Sequence, residues 1–299
     1  MRRLMASLLL LLMTAVTLPH ASLPVGPSAP AQAQTQPSPA PPTPGGPAAA
    51  AYDTLFYTRD GLRLEAYFYK PTGSGPFPLV IYNHGSRVGR ERAEVPMAFI
   101  GRLLTDAGYA VLVPERRSYG KSEGPTYSED IGDDRGPRFL ARLQAESDDA
   151  LAALTFATTT GQLPIDPKHV AMMGWSFGGI VTTFAVGRSD AFVAAINQAP
   201  GALNWDRVPA LRTALIAAAS KSHTPMLCMA AKNDATTENA TQICGAVKRH
   251  GVEADVILYP PFTPTTPVPI APGHMIFSQQ GVDLWSKDAL AFLARHLRP

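Results

Sequence analysis

The stretch Gly174-Trp175-Ser176-Phe177-Gly178-Gly179 lies between two apolar runs, Val170 to Met173 and a second beginning at Ile180. A buried-type apolar run, a G-x-S-x-G sequence and a further apolar run dictate a strand, a sharp turn and a helix, in that order. Glycines flank the serine because strand and helix pass too closely for a Cβ. The turn lifts the Ser176 hydroxyl out of the sheet and aims the first N–H groups of the following helix at whatever binds there. Five residues alone also fit an ordinary Gly-rich turn, so the remainder of the chain decides.

Upstream, the apolar run Leu79 to Tyr82 ends in Asn83-His84-Gly85-Ser86. Downstream, Pro225 to Ala230 reads as a buried strand running into Ala231-Lys232-Asn233-Asp234, and Val256 to Tyr259 as a last strand followed by a Pro-rich loop and Pro272-Gly273-His274. Ser176, Asp234 and His274 thus follow successive strands in the order Ser, Asp, His. A serine hydroxyl is a poor nucleophile until a neutral imidazole accepts its proton, and the imidazole needs a carboxylate to fix its tautomer. The combination predicts acyl transfer, with the N–H of Phe177 as one donor to the oxyanion. Asp234, followed by Ala235-Thr236-Thr237-Glu238, also fits a helix N-cap. His84, His169, His223, His250 and His296 compete with His274, but only His274 stands between the last strand and the last helix. His84 reads as a residue that shapes the loop carrying Ser86.

On these residues the chain resembles the α/β-hydrolase family, and within it the dienelactone-hydrolase-like branch. The resemblance implies a mostly parallel central sheet with helices on both faces. In that family a strand ending in His-Gly precedes the loop that donates the second oxyanion N–H, here the backbone of Ser86. The segment Val113 to Gly124 is similar to the family's loop after the fourth strand, Arg-Gly-x-Gly-x-Ser, with Ser118 in place of the first glycine. Its charged residues receive no catalytic role. That branch often carries a cysteine nucleophile, so Ser176 separates this chain from dienelactone as a substrate. The resemblance implies a serine hydrolase of carboxylic esters that needs no cofactor and takes a small-molecule ester. A prolyl-oligopeptidase-like peptidase or a thioesterase would use the same residues, and a non-catalytic binding protein on the same fold is the alternative from another class.

Arg2 and Arg3 precede a leucine-rich stretch from Leu8 to Leu12 that continues apolar to Leu18, which has the form of a signal peptide. Ala31-Gln32-Ala33 offers a cleavage site, giving a leader over 1–33; Pro19-His20-Ala21 offers an earlier one, and an uncleaved anchor is the alternative. Residues 34–51 hold no charge and are Pro, Ala, Gly, Ser, Thr, Gln and one terminal alanine run, a composition that cannot bury enough apolar surface to order itself. The catalytic domain is expected over 52–299. The chain has 26 Lys and Arg against 24 Asp and Glu, and without Arg2 and Arg3 the balance is zero. That neutrality gives no reason to invoke nucleic acid or an anionic membrane surface, and no stable anchor is expected after cleavage. Cys228 and Cys244 either form a disulfide, as an exported chain allows, or remain buried thiols. No Cys/His cluster has metal-ligand spacing.

Within the domain, Leu55 to Thr58, Asp60-Gly61 and Leu62 to Tyr69 read as an antiparallel hairpin at the sheet edge. Strands are expected at 79–83, 110–113, 170–174, 192–198, 226–230 and 256–259, and helices near 97–107, 139–159, 177–186, 208–219, 237–250 and 282–297. The segment between Gln198 and Thr224 has room for one helix rather than a cap domain. An open site is therefore expected, rimmed by Trp175, Phe177, Trp205 and a stiff loop from Pro260 to Pro272, with Trp175 and Trp205 as substrate-contacting residues.

Overall fold

The computed structural model describes residues 51–134 and 136–297. The expected leader over 1–33 and the uncharged segment after it, apart from Ala51, lie outside the described residues.

Among the described residues eight strands form one sheet: β1 (Asp53–Arg59), β2 (Leu62–Tyr69), β3 (Phe77–Asn83), β4 (Ala110–Glu115), β5 (Ile165–Trp175), β6 (Ala194–Gln198), β7 (Met226–Ala231) and β8 (Ala254–Tyr259). Their spatial order is β1-β2-β4-β3-β5-β6-β7-β8. β1 and β2 form the antiparallel hairpin, closed by Asp60 (φ 51°) and Gly61 (φ 77°), the left-handed pair that suits a two-residue turn between right-twisted strands. β2 also meets β4 antiparallel, and every other pairing is parallel.

Because successive side chains leave a strand on opposite faces, each central strand feeds two cores. Leu79 and Ile81, Ala110 and Leu112, and Val170 and Met172 enter one; Val80 and Tyr82, Val111 and Val113, and Ala171 and Met173 enter the other. The first core is covered by α3 (Pro137–Thr159), α4 (Phe177–Val186), α5 (Pro209–Ala219) and α6 (Glu238–Arg249). The second is covered by α1 (Ala98–Asp106) and α7 (Val282–Leu297). This is the α/β-hydrolase arrangement, a mostly parallel sheet with helices on both faces and an N-terminal antiparallel hairpin.

Element boundaries differ from expectation where tertiary contacts extend a local pattern. β5 begins at Ile165, before a register irregularity at Pro78/Leu79, and β4 runs on to Glu115. β6 begins at Ala194 rather than at Phe192. A short helix, α2 (Tyr127–Ile131), escaped the pattern reading although Thr126 and Glu129 form a reciprocal capping box, a signal present in the sequence. The segment from 198 to 224 holds one 3-10 turn, Ala202–Asn204, and α5. Cys228 of β7 and Cys244 of α6 form a disulfide, with Cα atoms 6.0 Å apart.

Candidate active site

Ser176 is the single residue between the end of β5 and the start of α4, with φ 57° and ψ −114°. Such a backbone costs a non-glycine residue roughly 1–3 kcal/mol and persists only where its surroundings over-determine it. Here they do: the Ser176 N–H donates to Gln198 O at 2.9 Å, and the Gly201 N–H donates to Ser176 O at 3.2 Å. The neighbouring glycines answer to close approach. A Cβ on Gly178 would lie 1.8 Å from Asn83 O, and one on Gly174 would lie 2.2 Å from Gly178 O. Strand β3, strand β5 and helix α4 therefore meet backbone to backbone at the turn.

Beside it, His274 Nε2 lies 2.9 Å from Ser176 Oγ, and His274 Nδ1 lies 2.9 Å from Asp234 Oδ2 and 3.1 Å from Oδ1. The carboxylate holds a proton on Nδ1, which leaves Nε2 to accept from the hydroxyl. The Asp234 side chain is fully buried, that of His274 nearly so, and Ser176 is 8 % exposed, so all three are buried and the serine end is the most accessible. Asp234 follows β7 and also accepts the Ala235 N–H at 2.6 Å. It does not cap α6, whose N-cap is Thr237. His274 sits in a 3-10 turn, Pro272–Phe277, rather than in open loop.

The two loops carrying acid and base are fastened together. Asn233 donates to Phe262 O and accepts from Phe262 N, each at 2.9 Å, and Gly273 N–H donates to Asn233 O at 3.3 Å. A Cβ on Gly273 would fall 2.6 Å from the Asp234 nitrogen, so the approach of His274 to Asp234 depends on glycine there. Trp175 completes the clasp: its indole N–H donates to His274 O at 3.2 Å.

Phe177 opens α4, and its N–H, as the first of the helix, has no carbonyl partner within the helix. Ser86 lies across from it on the loop after β3, where the missing Cβ of Gly85 would stand 3.5 Å from Ser176 Cβ. That loop is tied down from below. His84 Nδ1 contacts Gly85 O at 2.7 Å, Arg116 Nη2 donates to His84 O at 3.0 Å, and Arg87 ends on the carboxylate of Glu115. Burial, followed by the charges of Arg116 and Arg87, holds the His84 imidazole well below its ordinary pKa, so it stays neutral. Burial also pushes the Glu115 carboxyl up to about 7 against the opposing pull of Arg87. Arg116 and Arg142 both bind Glu146 of α3 at 2.9 Å, and Arg117 binds Asp149 with two nitrogens. Ser118 takes φ 70°, the left-handed backbone that a glycine would adopt more easily.

Two cavities meet at Ser176. One, of about 700 Å³, includes Ser86, Trp175, His274 and Met275; the other, of about 650 Å³, includes Ser86, Phe177, Asn204 and Arg207. Trp175 thus lines the site as expected. Trp205 does not: it is fully buried in the core beneath α4 and α5, because the 3-10 turn Ala202–Asn204 presents Leu203 and Asn204 to the cavities and turns the next side chain inward. The Pro260-to-Pro272 loop contributes Val268, Pro269 and Ile270. Of the competing histidines, His84 shapes its loop, while His169 and His223 pair with Asp166 and Asp190 and His296 lies near Glu253, away from the serine. Sequence reasoning missed Arg87, Leu203 and Met275, which carry no motif of their own, and gave Glu115, within the Val113-to-Gly124 segment, no role. Among the described residues no group of three His, Cys, Asp or Glu is placed to hold a metal ion. None of their helices is long and apolar enough to cross a membrane.

The dienelactone hydrolase family model matches residues 64–263, a span that includes Ser86, Ser176 and Asp234 and stops short of His274. The chain belongs to that family and has the α/β-hydrolase fold. It is 31 % identical over 151 residues to the quorum-quenching protein AidA of Acinetobacter baumannii, covering 50 % of this chain and 44 % of that protein. The chain thus spans less than half the length of that relative. Among solved structures, an esterase of Pyrococcus furiosus superposes with a TM-score of 0.60 at 16 % identity, covering 83 % of this chain and 92 % of that one. The acylaminoacyl peptidase of Pyrococcus horikoshii superposes with a TM-score of 0.62 at 18 % identity, covering 82 % of this chain and 41 % of that one.

Proposed function

We propose that this member of the dienelactone hydrolase family is an exported serine esterase, with Ser176 as nucleophile, His274 as general base and acid, Asp234 as its orienting carboxylate, and the N–H groups of Phe177 and Ser86 as oxyanion donors. The observation that carries the reading is the unbroken chain of contacts from Asp234 through His274 to Ser176 Oγ, which ends where two cavities open. Ser176 Oγ attacks the ester carbonyl carbon as its proton passes to His274 Nε2; the oxyanion forms against the two N–H groups; the alcohol leaves with that proton; and water hydrolyses the acyl-enzyme by the same path. One oxyanion donor is typically worth about 3 kcal/mol to the transition state.

The cavity lining favours an ester over a peptide with a free amino terminus. With Arg87 paired to Glu115, Arg90 and Arg207 line it against a single carboxylate, Asp206, a poor setting for an ammonium group. Export is supported by Arg2, Arg3 and the apolar stretch after them, together with the disulfide, which persists in oxidising compartments. Amino-terminal sequencing of protein recovered from the cell envelope or medium tests that part: an intact Met1 there would refute cleavage.

The chemical assignment is tested by labelling with a fluorophosphonate and mapping the labelled peptide, alongside rates on p-nitrophenyl butanoate, the matching thioester and a peptide anilide. Label on Ser176 is expected, and Ser176→Ala should lower ester turnover by about 10⁴-fold or more. Equal rates in wild type and Ser176→Ala would remove the reading. Faster turnover of the anilide than of the ester would replace it with a peptidase.

A further inference from the structure

We infer that the two cavities at Ser176 divide the substrate between them, the one reached by His274 taking an apolar alcohol and the one beside Phe177 taking a hydrogen-bonding acyl group. The inference rests on the serine-esterase reading above and adds the class of ester to it.

The division follows from where protons go. When the tetrahedral intermediate collapses, the bond between the carbonyl carbon and the alcohol oxygen breaks, and the departing oxygen takes the proton from His274 Nε2. That oxygen must therefore lie within hydrogen-bond reach of the imidazole, and the rest of the alcohol must extend into whichever space the imidazole borders. His274 borders only the larger cavity, of about 700 Å³. The acyl chain leaves the same carbon in another direction and occupies the space that remains, of about 650 Å³, bordered by Phe177 but not by the imidazole. Ser86, Ser176, Leu203, Pro269 and Ile270 border both, as the position of a shared carbonyl carbon requires.

The two spaces differ in chemistry. Beyond the shared residues, the alcohol side is walled mainly by Val88, Val95, Trp175, Val268 and Met275, with Arg90 and with Arg87, whose guanidinium is paired with Glu115. Val88 is 47 % exposed and Ile270 is 37 % exposed, so part of this apolar wall is open to an incoming group. The acyl side presents Asn204, Asp206 and Arg207, and the last two are exposed at its lip. A polar group held there is compensated by side chains of both signs and by an amide, which suits hydroxyl or amide substituents on the acyl chain.

The test crosses two acyl groups, butanoyl and hydroxybutanoyl, with two alcohols, methanol and naphthylmethanol, and measures kcat/KM and the deacylation rate for each ester. At fixed acyl group the naphthylmethyl ester is expected to exceed the methyl ester in kcat/KM by about tenfold or more, and at fixed alcohol the hydroxybutanoate to exceed the butanoate. Val88→Asp, at an exposed lip position, should cancel most of the preference for naphthylmethanol and leave deacylation unchanged, because the alcohol has already gone when water attacks. Arg207→Leu should reduce the acyl preference, altering deacylation while leaving the alcohol preference intact. The opposite pairing of variant and preference, or kcat/KM indifferent to both halves of the ester, would overturn the division even with Ser176 labelled by a fluorophosphonate. Failure of that label together with failure to turn over any ester would instead bring down the esterase reading, and this one with it.

Discussion

Arg87, the residue after Ser86, places its guanidinium on the fully buried carboxylate of Glu115 at the end of β4. The loop that carries the proposed oxyanion donor is thus held by an ion pair whose acid half is titrated near neutrality, since burial pushes Glu115 up to about 7. When Glu115 takes up a proton, the anchor on Arg87 weakens. Glu115→Gln should therefore lower kcat/KM by about tenfold near pH 8.5, where the wild-type anchor is ionic, and the deficit should vanish toward about pH 5.5, where the wild type is itself protonated. A deficit that stays constant across the range in pH-rate profiles would refute the anchor.

The same group sets a dependence of stability on pH. Its folded value of about 7 stands above the ordinary 4.5, so the folded chain keeps a proton that the unfolded chain has released between those limits. The stability contributed by Glu115 is complete below the lower limit and is lost as pH rises through the upper one, with a slope of at most about 1.4 kcal/mol per pH unit. Chemical denaturation at several pH values should show a shallower decline in Glu115→Gln than in wild type over that window.

Ser176 occupies a backbone that glycine adopts without strain. Ser176→Gly should abolish ester turnover and raise unfolding stability by about 1 kcal/mol. An inactive variant with unchanged or lower thermal midpoint would mean that the turn is not strained.

The two tryptophans that the sequence placed at the rim should part company. Trp205→Ala removes a side chain buried in the core and is expected to cost about 3–5 kcal/mol of stability. Trp175→Phe loses the hydrogen bond to His274 O, which should lower kcat by several-fold while the midpoint moves little. Denaturation curves and steady-state kinetics on both variants separate the roles.

The Cys228–Cys244 crosslink spans 16 residues. Closing a loop of that size contributes roughly 3 kcal/mol through the unfolded chain, so the doubly substituted Cys228→Ser, Cys244→Ser protein should lose about that much. Two alkylatable thiols in the unreduced protein would contradict the crosslink.

The fold was legible because its signals are local and repetitive: apolar runs, alternating helices and the Asp60-Gly61 turn each declare themselves within a few residues. The order of Ser176, Asp234 and His274 was legible for a related reason, since each directly follows a strand end or precedes a helix that the pattern identifies. Trp205 was not. Whether a large aromatic in a turn faces solvent or core depends on the orientation of a 3-10 turn, and nothing in Ala202-Leu203-Asn204 announces it. Glu115 and Arg87 were hidden for another reason: they are 28 positions apart and meet only because β3 and β4 are neighbours. Asp234 was ambiguous with a helix cap until the helix start was fixed at a different residue.

Asn233 grips Phe262 at one end of the Pro-rich loop, and Gly273 rests against Asn233 at the other. The intervening stretch is consequently a bight moored at both ends to the residue next to the acid. Its middle, including Val268 and Ile270, is free to be rewritten by mutation while the distance between imidazole and carboxylate stays as it is. On the proposed reading, changes there would alter which ester fits and leave the proton relay as it is.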